Sequence, residues 1–451
     1  MNLRHTPLPS LMVCRGCGTV LEPFEPYPFS CPRAGDGVDH VLRRVLDADA
    51  VTFPAGDEGE QNPFVRFRSL LHAQHLAVAG GLGDGQFVAL VRRLDAAVAD
   101  VDGSGFVTTP LTFEGRLGEG AGVLGPVFVK DETHNVARSH KGRHLFGLLL
   151  HLEVAEQLGL IDASERRPLA IASCGNAALA AAVVAAAGGR QLLVFVPTDA
   201  DPAVVARLSS LGARITVCAR QAGVNGDPTY HRMRAAIAEG ALPFTCQGNE
   251  NGLAIEGGQT LGYEIVAHLA ATGAPLDHVV VQVGGGALAS AVAAAFGEAV
   301  TFGLLERPPR FHTVQTESAW PLKRAFDRVA ALLDGQSGPD PIHRALRQAA
   351  QHRSEFMWPW ETTPHSIAHG ILDDETYDWL AVVEAMLVTG GRPVVVGEEE
   401  LEKANALALE TTGIQVDPTG SAGLAGLVAL REQGVVGPGE SVAVLFTGGR
   451  R

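Results

Sequence analysis

The sequence predicts an α/β protein made of two parallel-sheet domains with helices on both faces, preceded by a small cysteine-bearing segment. Three observations carry this. Short apolar runs of the kind that bury both faces of a strand alternate with helical apolar spacing from about residue 127 onward. The alternation comes in two series, one ending near residue 249 and one beginning near 250. Several strands run into small, glycine-bearing turns that open helices, where exposed N–H groups attract an anion. The expected organisation is an N-terminal segment over 1–45, the first part of a large domain over 46–139, a small α/β domain over 140–249, and the rest of the large domain over 250–451.

Taken in order, the chain first offers Cys14-x2-Cys17-Gly18 and Cys31-Pro32, which resemble the two knuckles of a zinc ribbon, with thiolates on tight turns converging on a tetrahedral metal. Ala34-Gly35 stands where the later knuckle needs its second cysteine. Either His40 completes a structural Cys3His zinc site with Cys14, Cys17 and Cys31, or the segment is a metal-free knob. Helical spacing runs from about 62 to 100, and Thr109-Pro110-Leu111 opens an extended stretch. A strand at Val127–Val129 then leads through a polar turn and Lys141 to a helix expected from His144 to Leu158. Strands at Leu169–Ser173, Leu192–Val196 and Arg214–Cys218 alternate with helices at Asn176–Ala187 and Pro202–Leu211. The second series has strands at Val279–Val283, Phe311–Thr316, Val394–Val396 and Val442–Phe446, with helices after Gly286, Glu398 and Ser421. Asp334–His352, with its Gly-Gln-Ser-Gly-Pro-Asp-Pro run, reads as a surface excursion.

Composition narrows the function. The 451 residues are 46% hydrophobic and 19% charged, and no apolar run approaches the roughly 20 residues of a membrane-spanning helix. A net charge of −15 argues against nucleic acid and anionic membranes as partners and suits an enzyme acting on a small molecule. Six cysteines in so long a chain do not form a disulfide scaffold. Met1–Pro7 lacks the apolar core of a secretion signal, so the expected location is the cytoplasm.

Five stretches carry chemistry. Lys141 sits at a strand-to-helix junction, where partial desolvation favours a nucleophilic amine; a solvated surface lysine is the plain alternative. Ser173-Cys174-Gly175-Asn176 closes a strand and opens an Ala-rich helix, either as an anion-binding turn or as an ordinary helix cap. Gly284-Gly285-Gly286-Ala287-Leu288 has the form of a phosphate cradle. A dinucleotide fingerprint through Gly284, Gly286 and Ala289 is weaker, because Glu317 lies beyond the expected spacing for its acidic residue. Near the C-terminus, Asp417-Pro418-Thr419-Gly420-Ser421 and Thr447-Gly448-Gly449 read as loop chemistry or, for Thr447, as a hydroxyl for a ring nitrogen.

In this order, Asn135–Lys141, Ser173–Asn176, Gly284–Leu288, Asp417–Ala422 and Thr447–Gly449 resemble the motifs of the fold type II pyridoxal-phosphate enzymes. This is the group of threonine synthase, threonine dehydratase and the tryptophan synthase β chain. Glu256-Gly257-Gly258-Gln259-Thr260 and Ser366-Ile367-Ala368-His369-Gly370 are similar to further segments of its threonine synthase and dehydratase branch. The resemblance covers about 105–450. It implies pyridoxal 5'-phosphate as cofactor, a homodimer, and Lys141 as Schiff-base lysine and acid/base at Cα. It further implies phosphate binding by Gly284, Gly285, Gly286, Ala287 and Leu288, and Asn176 on the cofactor 3′-hydroxyl. Ser173, Cys174, Gly175 and Ala177 would take the substrate carboxylate, and Thr447 would face the pyridine nitrogen. A hydroxyl there leaves the ring neutral, which disfavours transamination and favours prompt loss of a β- or γ-substituent.

The departures are as informative. Val136-Ala137-Arg138 replaces Pro-Thr-Gly, and His140 replaces a phenylalanine, as in the tryptophan synthase β chain, where that histidine approaches the cofactor phosphate; His140 would take that role or simply pack beside the ring. Cys174 replaces the serine that serves racemases as a base, so racemisation is not expected. The expected activity is a lyase that eliminates a β-substituent, such as the hydroxyl of a serine- or threonine-like amino acid. The cysteine knuckles, similar to those of zinc-ribbon threonine synthases and cysteate synthases, leave a replacement reaction as the alternative. A catalytically silent cofactor-binding regulator is the alternative of another class.

Overall fold

A computed structural model describes residues 7–35, 37–54, 59–220 and 226–451; of the Met1–Pro7 stretch, all but Pro7 lies outside it. Strands β1 (Ser10–Cys14) and β2 (Leu42–Leu46) pair antiparallel and frame the cysteine segment. The short β3 (Leu111–Phe113) runs antiparallel to β4 (Val127–Asp131) at one edge of a six-stranded sheet. Strands β5 (Leu169–Ala172), β6 (Leu192–Pro197), β7 (Arg214–Cys218) and β8 (Leu242–Pro243) form a second, wholly parallel sheet in the order β7-β6-β5-β8. Strands β9 (His278–Gln282), β10 (Arg310–Thr316), β11 (Pro393–Val396) and β12 (Val442–Phe446) complete the first, in the order β11-β10-β9-β12-β4-β3.

Sequence character explains the placement. β4, β9 and β12 are buried at every position and lie side by side in the middle of the large sheet, covered on both faces. β7 is exposed or half-buried along its length, and it forms an edge. Two expectations are corrected. The helix after the Lys141 turn spans Lys141–Gln157, so the lysine is its first residue, three positions earlier than the apolar pattern indicates. The 334–352 region is not a simple excursion: Pro339–Gln351 is a helix whose Ile342, Ala345, Leu346, Ala349 and Ala350 join the large-sheet core. The Gly-Pro punctuation marks that helix's start, with Gly338 as cap and proline in its first turn. Likewise the helix expected after Ser421 already begins at Pro418.

The helix Lys141–Gln157 is buried from Gly142 to Ala155, its apolar residues on every side and its Arg143, His144, His151 and Glu153 held by partners inside. It packs against the helix Ala254–Thr272 at a contact made of glycine. A Cβ on Gly257 would fall 2.1 Å from the Arg143 carbonyl oxygen, and one on Gly258 would fall 2.1 Å from the His144 ring. The Glu256–Thr260 motif is thus in part a packing motif that brings this helix against the turn carrying Lys141.

Beneath that turn lies a buried charge network. Arg143 donates to Glu132 at 2.8 Å and to Glu264 at 2.7 Å, and Lys130 also pairs with Glu264. Burial pushes Glu264 up, but Arg143 and Lys130 outweigh it and hold the carboxyl below its ordinary range. Removing one partner of such a network strands a buried charge, at a cost of about 3–5 kcal/mol. The network fixes the first turn of the helix to β4 and to the helix Ala254–Thr272.

Candidate active site

Parallel strands put distant motifs at one end of the molecule. The turns after β4, β5, β9 and β12 carry Lys141, Ser173–Asn176, Gly284–Gly286 and Thr447, and all leave the carboxyl ends of strands. Ser139 bridges to Gly448, which brings the lysine turn against the end of β12.

The lysine turn is tightly determined. Asn135 caps it by accepting from the Val136 N–H, and the Asp102 carboxylate accepts from the Ala137 N–H at 2.7 Å. Ala137 and Arg138 adopt left-handed backbone, with φ of 54° and 57°. Such conformations cost non-glycine residues on the order of 1–3 kcal/mol each and persist only where surroundings impose them. Arg138 stands where the family motif has glycine; its exposed side chain lies over Gly449. Lys141 itself is half-buried, and its charge is felt by His140, His144, Cys246, Asp373 and Asp378.

His140 is buried, and burial, reinforced by Lys141 and His144, holds it well below its ordinary pKa, so it is neutral. Its Nδ1 donates to the Thr447 carbonyl at 3.1 Å, and its Nε2 is left buried without a partner. The ring therefore ties Lys141 to the end of β12. Thr447 is buried as well, and its Oγ1 accepts from Gln282 Nε2 at 2.7 Å. The same nitrogen lies 2.7 Å from the Gly420 carbonyl and 3.1 Å from the Leu445 carbonyl, so its two N–H groups are shared among three acceptors, and toward Thr447 it can only donate. Thr447 must then donate its own proton elsewhere.

The cradle has the expected form, with Gly286 at φ 97° capping the helix Ala287–Thr301 and Leu288 buried in its first turn. A strap over 371–378 covers it. Thr376 Oγ1 donates to the Gly284 carbonyl at 2.9 Å, and the Asp378 N–H donates to the Gly285 carbonyl at 3.1 Å. A Cβ on Gly284 would fall 2.2 Å from Asp373 Oδ2. Burial raises the Asp373 carboxyl to about 6 against the pull of Lys141 and of the Gly285 N–H.

Ser173, Cys174, Gly175 and Ala177 line the half-buried turn after β5, where Gly175 donates to Ser173 Oγ at 3.4 Å. The Cys174 thiol is pushed up by burial and then by Asp199, Asp227 and Asp373. Asn176, first in its helix, pairs with Arg451 and with Asp417. His369 is exposed on a short 3-10 turn, its Nδ1 3.3 Å from the Ile367 carbonyl. No motif marks Gln282, Asp373 or Asp378. Gln282 is signalled only as the polar end of Val279-Val280-Val281, and the two aspartates as part of the acidic run after Gly370.

In the N-terminal segment, Cys14, Cys17, Cys31 and His40 converge, with one ligand atom from each within 4.8 Å of all the others. Cys17 Sγ lies 3.7 Å from Cys31 Sγ, and Cys14 Sγ lies 3.5 Å from His40 Nδ1. Zinc–sulfur bonds of about 2.3 Å in a tetrahedron put sulfurs roughly 3.7 Å apart, so the spacing suits that metal. No described helix is long and apolar enough to cross a membrane.

Comparison with known proteins agrees with this geometry. The chain is 24% identical to the threonine synthase of Methanocaldococcus jannaschii over 324 residues, covering 71% of this chain and 69% of that one. It is 27% identical to the cysteate synthase of Methanoregula boonei over 285 residues, covering 62% and 61%. Among solved structures, diaminopropionate ammonia lyase from Escherichia coli superposes with a TM-score of 0.59 at 18% identity, covering 80% and 88%. The profile described as "Pyridoxal-phosphate dependent enzyme" matches residues 104–448, which contain Lys141, Ser173–Asn176, Gly284–Leu288 and Thr447, and the chain therefore belongs to the pyridoxal-phosphate dependent enzymes.

Proposed function

We propose that this chain is a pyridoxal-phosphate-dependent lyase that eliminates a β-substituent from a hydroxy- or otherwise β-substituted amino acid, with Lys141 as its central residue. The residues fit the cofactor. The cradle is a three-glycine turn opening a helix, lined by the strap, His140 Nε2 is a buried polar atom without a partner, and Thr447 has a proton to give. When bound, the cofactor supplies an electron sink conjugated to the substrate Cα. The chain's own part is to hold and to move protons. Gly284–Leu288 offer N–H groups to the phosphate, the turn Ser173–Ala177 offers them to the substrate carboxylate, and the Lys141 amine takes the proton from Cα.

The observation that supports the reading is the Gln282–Thr447 hydrogen bond, in which Thr447 Oγ1 accepts and so keeps its own proton to give to a ring nitrogen. An acceptor nitrogen is unprotonated, so the sink is a moderate one, suited to prompt expulsion of a leaving group rather than to transamination. Replacement, as in a threonine synthase or cysteate synthase, is the second reading. It is favoured by the sequence relatives and by the N-terminal cysteines. We propose that Cys14, Cys17, Cys31 and His40 hold a structural zinc in either case. Metal analysis should then find about one zinc per chain, lost in Cys31→Ser together with thermal stability, since a closed four-ligand site contributes folding free energy.

The experiment has two stages. Purified protein with cofactor should show an absorbance band near ~410–420 nm that Lys141→Ala abolishes. Hydroxy-amino acids should then release a 2-oxo acid and ammonia. Conversion of O-phosphohomoserine to threonine without oxo-acid release would select replacement, and a band without any turnover would select the silent regulator.

A further inference from the structure

We propose that the cleft between the cysteine segment and the helices Pro339–Gln351 and Trp379–Thr389 binds a small dianion, a phosphate monoester or a dicarboxylate, held by Arg15, Arg43 and Arg347. None of its residues belongs to the site around Lys141, and the inference stands apart from the lyase reading.

The cleft has a volume of about 140 Å³ and sets charged walls around an apolar floor of Leu346, Ala350 and Leu380, all buried. Arg15 follows Cys14 in the cysteine segment, Arg43 lies in β2, and Glu384 lies in the helix Trp379–Thr389. His343 and Arg347 come from the helix Pro339–Gln351, four positions apart and so on one face of it. The alternation of a strand separates Arg43 from its neighbour in β2. The Arg44 side chain turns inward to Glu298 at 2.6 Å, and Arg43 borders the cleft.

The charge in this cleft is largely unmet. Glu384 is the one carboxylate among the described residues that line it, and it pairs with Arg15. The side chains of Arg43, His343 and Arg347 make no hydrogen bond or ion pair among the described residues. Elsewhere the chain treats its arginines differently. Arg44, Arg143 and Arg190, with buried side chains, each pair with two glutamates, as a net charge of −15 readily allows. Three guanidiniums against one carboxylate leave two positive charges unmatched, which is the charge of a dianion. Held together over an apolar floor they repel one another, and a bound dianion relieves that repulsion. Their planar forks suit phosphate and carboxylate oxygens alike. The volume admits a small molecule, not a folded partner. Arg15 and Arg43 also border a larger neighbouring cavity of about 330 Å³, which gives an organic ligand room beyond its charged end.

Calorimetric titration at low ionic strength and slightly alkaline pH tests this, with glycerol 3-phosphate, succinate and acetate as ligands. The protein is loaded with cofactor and freed of excess, so that the glycine cradle is occupied. Both dianions should bind about tenfold more tightly than acetate and weaken as salt is added. Glycerol 3-phosphate ahead of succinate marks a phosphate-monoester site, and the reverse order marks a dicarboxylate site. Arg43→Gln and Arg347→Gln, at exposed positions where folding is not at stake, should each weaken both dianions by about tenfold and leave the cofactor band as it is. Glu384→Gln removes the competing carboxylate and should tighten both by about threefold. Absence of dianion binding, acetate binding as tight as theirs, or dianion binding that survives both arginine substitutions overturns the inference.

Discussion

At the scale of the residue, the site is a set of protons whose places are fixed by neighbours. Thr447 donates because Gln282 cannot accept through its amide nitrogen, and His140 is neutral because burial beside Lys141 disfavours its charge. Thr447→Val keeps the shape and removes the proton. Turnover should fall by about 10²-fold with the cofactor band retained, the loss typical of one positioned donor. Gln282→Met should move turnover in the same direction, by freeing the hydroxyl to rotate. Unchanged turnover in Thr447→Val would mean that the hydroxyl does not face the ring. The positions of Lys141, Asn176 and Thr447 are legible in the sequence because each sits in a short motif. Gln282 and Asp373 are not, because their roles come from groups far along the chain.

At the scale of the element, the helix Lys141–Gln157 and the helix Ala254–Thr272 define one another. Gly257 lets them meet at backbone distance, and Gly257→Ala should cost about 1–3 kcal/mol, read as a lowered urea midpoint, because a methyl cannot fit 2.1 Å from the Arg143 carbonyl. Wild-type stability in that variant would show that the helices can slide apart without loss. The expected start of the first helix near His144 misses three residues because Lys141, Gly142 and Arg143 give no apolar signal; Arg143 is nonetheless fully buried, held by Glu132 and Glu264. The helix Pro339–Gln351 is missed for the converse reason. Its Gly-Pro lead reads as loop, while its apolar face is visible only once it lies on the large-sheet core.

At the scale of the whole molecule, burial of titratable groups ties stability to pH. His151 is fully buried, its Nε2 donates to the Pro26 carbonyl at 3.0 Å, and burial lowers its pKa to about 4. The folded value lies below the unfolded one, so its contribution is present above the unfolded pKa and is lost as pH falls toward the folded value. From about pH 7 to about pH 5 that loss is roughly 2 kcal/mol. Burial raises Glu256 and Asp378 to about 7, so those carboxyls run the other way and lose stability as pH rises through that value. A single-site difference therefore isolates the histidine. The gap in unfolding free energy between wild type and His151→Gln should shift by roughly 2 kcal/mol in the variant's favour over that pH interval, and a pH-independent gap would refute the assignment.

The sequence by itself determined the alternation of strands and helices, the family, the lysine, the glycine cradle and the four zinc-ligand candidates, because all of these are written in local periodicity or short motifs. The tertiary structure decided how strands far apart in sequence bring their carboxyl ends together. It also decided which of His140's nitrogens is free, that Thr447 Oγ1 accepts from Gln282, and that an acidic strap covers the cradle. The physical reason is range. A cap or a turn is set within a few residues, whereas the partner of a buried polar atom is set by side chains that only the packed sheets place side by side.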